Sequence, residues 1–308
     1  MSRRYGDEVR LPLNSFSFMG TRRLWFALSG TLLLIGIVSL LFQGLNLGVD
    51  FTGGSVLELA YQDPVTPAAV EEVLAGYPET QGAQVQRLGS SESPTIRIRA
   101  RDLPSGGDRE AMYAALAELG SFEIALLDEV SPAIGRELTR AGLLAVGVAI
   151  LGMITYITLR FEFRFAACAI AALLHDSVIT LGLFSLLRME IDGAFIAAVL
   201  TIVGYSVNDT IVVFDRIREN LRYRKRGEDL AFTVDRSIRQ TLMRSLATSV
   251  TTFVAVGSIW AFGGATIRSF TAALLLGIVV GTYSSIFLAS PLWIAWQDWR
   301  PAKTVSRA

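Results

Sequence analysis

The chain has 308 residues, 52% of them apolar, a mean hydropathy of +0.46, and 28 Lys and Arg balanced by 28 Asp and Glu. That apolar excess excludes an ordinary soluble domain, and the zero net charge leaves no electrostatic footprint for nucleic acid. One cysteine, Cys168, excludes an internal disulfide, and one histidine, His175, argues against a zinc site.

Residues 1–23 hold Arg3, Arg4, Arg10, Arg22 and Arg23, and a first apolar run follows over 24–43. Its core is too long for a cleaved signal, and no small-x-small site follows in Gln43-Gly44-Leu45-Asn46. Residues 44–140 are the one stretch with room for a domain outside the bilayer. Fifteen acidic residues against seven Arg make it acidic, with a net charge of −8. It reads as a strand over 54–60, a helix opened by Thr66-Pro67, strands over 83–88 and 95–100, a helix over 108–119 and a last strand from Phe122. This β-α-β-β-α-β order suggests a ferredoxin-like α+β sandwich.

Residues 141–296 carry five more apolar runs, Ala141 to Leu159, Phe165 to Leu187, Ala194 to Phe214, Leu246 to Phe262 and Ala272 to Trp296. Each has about the length that crosses a roughly 30 Å hydrocarbon core, so the expected architecture is an α-helical membrane protein of six transmembrane helices. Basic residues gather before the first run, at Arg160 and Arg164, in the loop 215–244 and in the tail 297–308. The positive-inside rule therefore places both termini in the cytoplasm and the α+β domain on the opposite side. Within the loop, Ala231, Val234, Ile238 and Leu242 recur at helical spacing beside Arg236 and Arg239, as in an interfacial amphipathic helix.

The most pointed chemistry lies in the fourth run, where Asp209 follows Ser206 and Asn208. A charged Asp at the centre of a spanning helix costs about 2.5 to 3.5 kcal/mol even on the lenient insertion scale, so it calls for a partner, a proton or a role. Arg244, at the start of the fifth run, lies within about two turns of the same boundary and could pair with it. Ser245, Thr248 and Thr252 form a polar stripe there, which either faces a neighbour or bonds its own backbone. His175 and Asp176 form a second ionisable site about mid-span in the third run, pointing about 100° apart. Gly277 and Gly281 are spaced for a close helix contact, and Gly53, Gly54 and Gly135 are candidate hinges where the outer domain enters the membrane.

The motifs Leu45-Asn46-Leu47-Gly48-Val49-Asp50-Phe51-Thr52-Gly53-Gly54, Val130-Ser131-Pro132-Ala133-Ile134-Gly135, Leu174-His175-Asp176, Gly204-Tyr205-Ser206-Val207-Asn208-Asp209, Asp215-Arg216-Ile217-Arg218-Glu219-Asn220 and Thr241-Leu242-Met243-Arg244-Ser245 occur in this order. Together they resemble the SecF family of the bacterial Sec protein-export machinery, within the resistance-nodulation-division superfamily. Ser131 departs from the family's usual Gly. The resemblance implies a subunit of the bacterial inner membrane that acts with SecD, the SecY-SecE-SecG translocon, the YidC insertase and the translocating preprotein. It implies use of the proton motive force with protons as the coupling ion, no other cofactor and no enzyme activity. Asp209 would be the proton-path carboxylate and Arg244 its basic neighbour, with Asp176 and His175 on the same path and Ser206, Asn208, Thr248 and Thr252 supporting it. Two other readings stay open: half of a small-molecule or lipid exporter of that superfamily, and a passive scaffold of the translocase.

Overall fold

A computed structural model describes residues 16–88, 94–264 and 267–299. The tails with Arg3, Arg4, Arg10 and residues 300–308 lie outside the described residues. The chain forms two compact units, a sheet unit of Asn46–Val146 with Glu190–Ile196 and a helical unit made of the remainder.

In the sheet unit, the strands are β1 (Asn46–Leu47), β2 (Gly54–Tyr61), β3 (Gln84–Leu88), β4 (Thr95–Ala100), β5 (Phe122–Val130) and β6 (Glu190–Ile191). Its helices are the single turn α2 (Val49–Thr52), α3 (Pro67–Leu74) and α4 (Gly107–Ala117). Four strands make an antiparallel sheet in the order β3-β4-β2-β5. The β3-β4 hairpin therefore sits beside β2, and the α3 and α4 crossovers each skip one strand. Period-2 alternation in β4 buries Ile96, Ile98 and Ala100 and leaves Arg97 and Arg99 on the other face. Ile96 and Ile98 pack with Leu57, Leu59, Val70, Leu74, Met112 and Leu116 into one apolar core. Thr66 caps α3 through the Ala69 N–H, with Pro67 in its first turn. Burial pushes the Tyr61 phenol up to about 12, so it remains a donor to the Leu116 carbonyl.

Two features of this unit were not anticipated from the sequence. The motif at 46–52 forms a strand and a helical turn, and β1 pairs in parallel with β6 from the segment just before the fourth apolar run. Helix α5 (Pro132–Arg160) begins nine residues before the apolar run at 141. Proline suits a first helical position because its missing N–H is unpaired there anyway. Gly135 consequently lies inside a helix rather than in a connecting loop. Its position and that of Gly53 are fixed by close approach: a Cβ on Gly53 would lie 2.8 Å from the Pro132 Cα, and one on Gly135 would lie 3.0 Å from the Gly53 nitrogen. Gly53 has φ +70° and Gly54 has φ +125°, conformations that favour glycine.

The helical unit contains α1 (Arg22–Gln43), α6 (Phe163–Leu186), α8 (Leu230–Phe262), α9 (Arg268–Ser284), a π turn (Ser285–Ala289) and α10 (Ser290–Asp298), with the C-terminal half of α5 and most of α7 (Gly193–Arg222). Among the described residues six helices are long and apolar enough to cross a membrane by length and composition, α9 to α10 counting as one. The amphipathic segment after Asp229 and the fifth apolar run form one continuous helix, α8, and the fourth run continues eight residues past Phe214. The interior is built from α6 and α9 to α10, whereas α5 and α8 expose most of their apolar surface. Small residues bring backbones together. A Cβ on Gly182 would overlap the Gly36 backbone, and one on Gly277 would overlap the Ile202 side chain. Cys168 is buried against α6's neighbours as a packing residue.

Candidate functional site: two buried carboxylates held by serines

Asp209 is 8% exposed and Asp176 is 0% exposed, so both carboxylates lie in the interior of the helical unit. Ser206 and Asp209 are three residues apart on α7 and share a face. Ser206 donates to Asp176 Oδ2 at 2.5 Å, while Asp209 Oδ1 accepts from Ser245 of α8 at 2.5 Å. The junction of α9 and the π turn completes both groups, with Ser284 on Asp176 Oδ2 at 2.6 Å and Ser285 on Asp209 Oδ2 at 2.5 Å. Each carboxylate thus rests on two serine hydroxyls, and two consecutive serines serve the two carboxylates.

A π turn opens at the second of these serines. Such turns carry one extra residue and occur mostly as single bulges, often at functional sites. Pro291 follows closely, and because it has no N–H it cannot complete the preceding turn's ladder. The sequence carries this signal as Ser284-Ser285 in an apolar run ahead of Pro291, a pattern that no motif named above includes.

His175 and Asp176 bond each other, with Nδ1 2.9 Å from Oδ1. Side chains that diverge from neighbouring helical positions converge here because both groups are long enough to meet, so they form one site rather than two. His175 Nε2 is buried and has no hydrogen-bond partner among the described residues. Asp176 therefore has three hydrogen-bond partners, two of them serine hydroxyls.

Arg244 does not pair with Asp209. It is exposed and forms no ion pair among the described residues. The reason is helical phase: Ser245 points from α8 to Asp209, and its neighbour Arg244 is turned about 100° away. Arg244 instead lines a polar cavity of about 450 Å³ with Asp215, Arg216, Glu219, Gln240 and Thr241. The expected polar stripe divides in the same way. Thr248 and Thr252 donate to the Arg244 and Thr248 carbonyls of their own helix. The inward stripe is Ser245 and Ser249, and Ser249 accepts from the Tyr205 hydroxyl at 3.0 Å and bonds Thr282 at 2.7 Å. Asn208 is exposed, outside both groups. Gly281 packs against Ser206, where an added Cβ would lie 3.1 Å from the serine Cβ.

Among the described residues no cluster of His, Cys, Asp and Glu could hold a metal ion. A carboxylate bonded by neutral hydroxyls in an apolar interior can bind and release a proton, because the hydroxyls can serve both of its states. The architecture is that of a multi-span membrane protein with an ionisable interior and a small attached sheet unit.

The model of the C-terminal region of SecD/SecF protein-export membrane proteins matches residues 111–299, and the SecD/SecF GG motif matches residues 38–65. Protein translocase subunits SecF from Vibrio alginolyticus and Sebaldella termitidis are 44% and 40% identical. The aligned region covers 90% of this chain and 89% of the first relative, and 89% of both chains for the second. A crystal structure of SecDF from Thermus thermophilus superposes with a TM-score of 0.80 at 34% identity over 94% of this chain, and a second SecDF structure does so at 0.67 and 36% over 92%. This chain spans 40% and 39% of those SecDF chains. The chain belongs to the SecF family of protein-export membrane proteins.

Proposed function

We propose that this chain acts with SecD to draw on the proton motive force for preprotein movement through the SecY-SecE-SecG channel, alongside the YidC insertase, with protons as its coupling ion and no enzymatic step. Asp209 and Asp176 are the proton-binding groups, His175 orients Asp176, and Arg244 sets the potential in the polar cavity that it lines with Asp215 and Glu219. The six helices span the inner membrane with both termini in the cytoplasm, and the β-α-β-β-α-β unit is a ferredoxin-like domain on the outer face that moves with the proton site.

The single observation that carries this reading is the placement of two carboxylates in an apolar interior with serine hydroxyls rather than a fixed cation against Asp209. A passive scaffold has no use for groups that costly to bury. One charge crossing 100 mV releases about 2.3 kcal/mol, enough to bias a two-state element.

Asp209→Asn tests it, because the isostere keeps shape and hydrogen bonding but cannot cycle a proton. In energised vesicles carrying the complex with SecD, gradient-dependent export falls to the level seen without a gradient while insertion and folding are unchanged. Wild-type export by this variant removes Asp209 from the proton path.

A further inference from the structure

Each serine at the start of the π turn has two acceptors in reach. Ser285 Oγ lies 2.5 Å from Asp209 Oδ2 and 3.1 Å from the Thr282 carbonyl, and Ser284 Oγ lies 2.6 Å from Asp176 Oδ2 and 3.1 Å from the Gly281 carbonyl. A hydroxyl has one proton to give. Against an ionised carboxylate the short, charge-assisted bond takes it. When the carboxyl gains a proton it becomes the donor, the serine oxygen accepts, and the serine proton turns to the backbone carbonyl. Ser206, which shares Asp176 Oδ2 with Ser284, and Ser245, on Asp209 Oδ1, have no second acceptor among the described residues.

The two turning hydroxyls act on a shared piece of backbone. The Gly281 carbonyl already accepts the Ser285 N–H. A Ser284 hydroxyl turned toward that carbonyl therefore shares the acceptor with the N–H of Ser285, the residue that holds Asp209, and draws on the same oxygen's charge. We propose that Ser284 and Ser285 are positioning residues that couple Asp176 to Asp209, so that proton binding at one carboxylate changes the hydrogen bonding offered to the other. This rests on the proton-binding role given to the two carboxylates above. Other titratable groups facing the pair are His175 on α6, bonded to Asp176; Tyr205 on α7, bonded to Ser249; and Tyr283 on α9, whose ring centroid lies 6.4 Å from that of His175. Arg244 on α8 faces the polar cavity instead.

The test reads the protonation of the carboxyls directly, as their infrared carbonyl bands against pH in the purified complex with SecD. Band assignment comes from Asp209→Asn and Asp176→Asn. The expected result is that Asp176→Asn moves the pH midpoint of the Asp209 band by about one unit, the scale of one lost hydrogen bond to a charged group. With Ser284→Ala present, the same substitution leaves the midpoint where Ser284→Ala alone puts it. Ser284→Thr, which keeps the hydroxyl, preserves the coupling. If Ser284→Ala misfolds, Ser284→Cys supplies a near-isosteric weak donor with the same expected loss. An Asp209 midpoint that ignores Asp176→Asn, or that moves equally with and without the Ser284 hydroxyl, overturns the proposal. Neither readout depends on export, so failure here is distinct from an Asp209→Asn variant that still exports.

Discussion

The two units of the molecule treat buried polar groups in opposite ways. In the sheet unit Glu58 is 1% exposed and is answered by a cation: Arg97 binds its Oε1 at 2.6 Å and reaches Glu190 at 3.0 Å. In the helical unit Asp209 is almost as buried but is answered by neutral hydroxyls. A paired charge is a structural element that resists change, whereas a carboxylate among hydroxyls can change its charge without losing its partners. The contrast extends to the arginines. Arg97 is held in an ion pair under the sheet, and Arg244 stands exposed on a cavity wall.

The largest expected effect that separates the two treatments comes from Arg97→Leu. It strands a buried carboxylate and should cost the sheet unit about 3 kcal/mol, read as a lowered midpoint of thermal or denaturant unfolding. Glu58→Leu combined with Arg97→Leu should recover most of that loss, since a buried pair can be exchanged for apolar groups with little penalty. A double variant as unstable as the single one would mean that the pair does more than neutralise itself.

Arg244→Leu sharpens the comparison from the other side. An exposed residue with no ion pair contributes little to stability, so unfolding should stay within about 0.5 kcal/mol of wild type. Gradient-dependent export should nevertheless fall, and Arg244→Lys should restore only part of it, because a compact ammonium replaces a planar fork. Full export with Leu assigns Arg244 to topology alone.

The smallest effect belongs to Asp192, outside the spanning helices. Burial pushes its carboxyl above the usual range, helped by the nearby Asp50 and Glu190 and opposed by the hydrogen bond it accepts from the Phe195 N–H. A raised value means that the folded state favours the protonated form. Its contribution to stability is therefore complete below the ordinary Asp range and is lost as pH rises through the folded value. Asp192→Asn keeps an N-cap acceptor and should raise the unfolding temperature at neutral pH, with the gain disappearing in acid. An equal gain at every pH would point to packing rather than charge.

Much of this architecture was legible in the chain. Ile96 and Ile98 alternating with Arg97 and Arg99 show a strand with one buried face, and an Asp inside an apolar run marks Asp209 without any structure. What could not be read was phase. Whether Arg244 or Ser245 faces α7 depends on how α8 is rotated, and the two differ by one residue. The apolar run at 141 marks where lipid-compatible composition begins, but the helix starts at Pro132, where backbone chemistry rather than hydropathy decides. The β1-β6 pairing joins segments some 140 residues apart with two residues each, too short to leave a pattern. Ser284 and Ser285 escaped for the same reason as Arg244's orientation: serines in apolar helices commonly bond their own backbone, and here they do that as well as reach the carboxylates.

The contact between Gly36 and Gly182 limits the kinematics of the bundle. Where two helices touch backbone to backbone, neither can roll or slide without driving one chain into the other. Helices α1 and α6 therefore behave as a single lever, and Asp176 rides on it while Asp209 rides on α7. The bundle has fewer mechanical degrees of freedom than it has helices, and relative displacement of the two carboxylates is displacement between α7 and that lever.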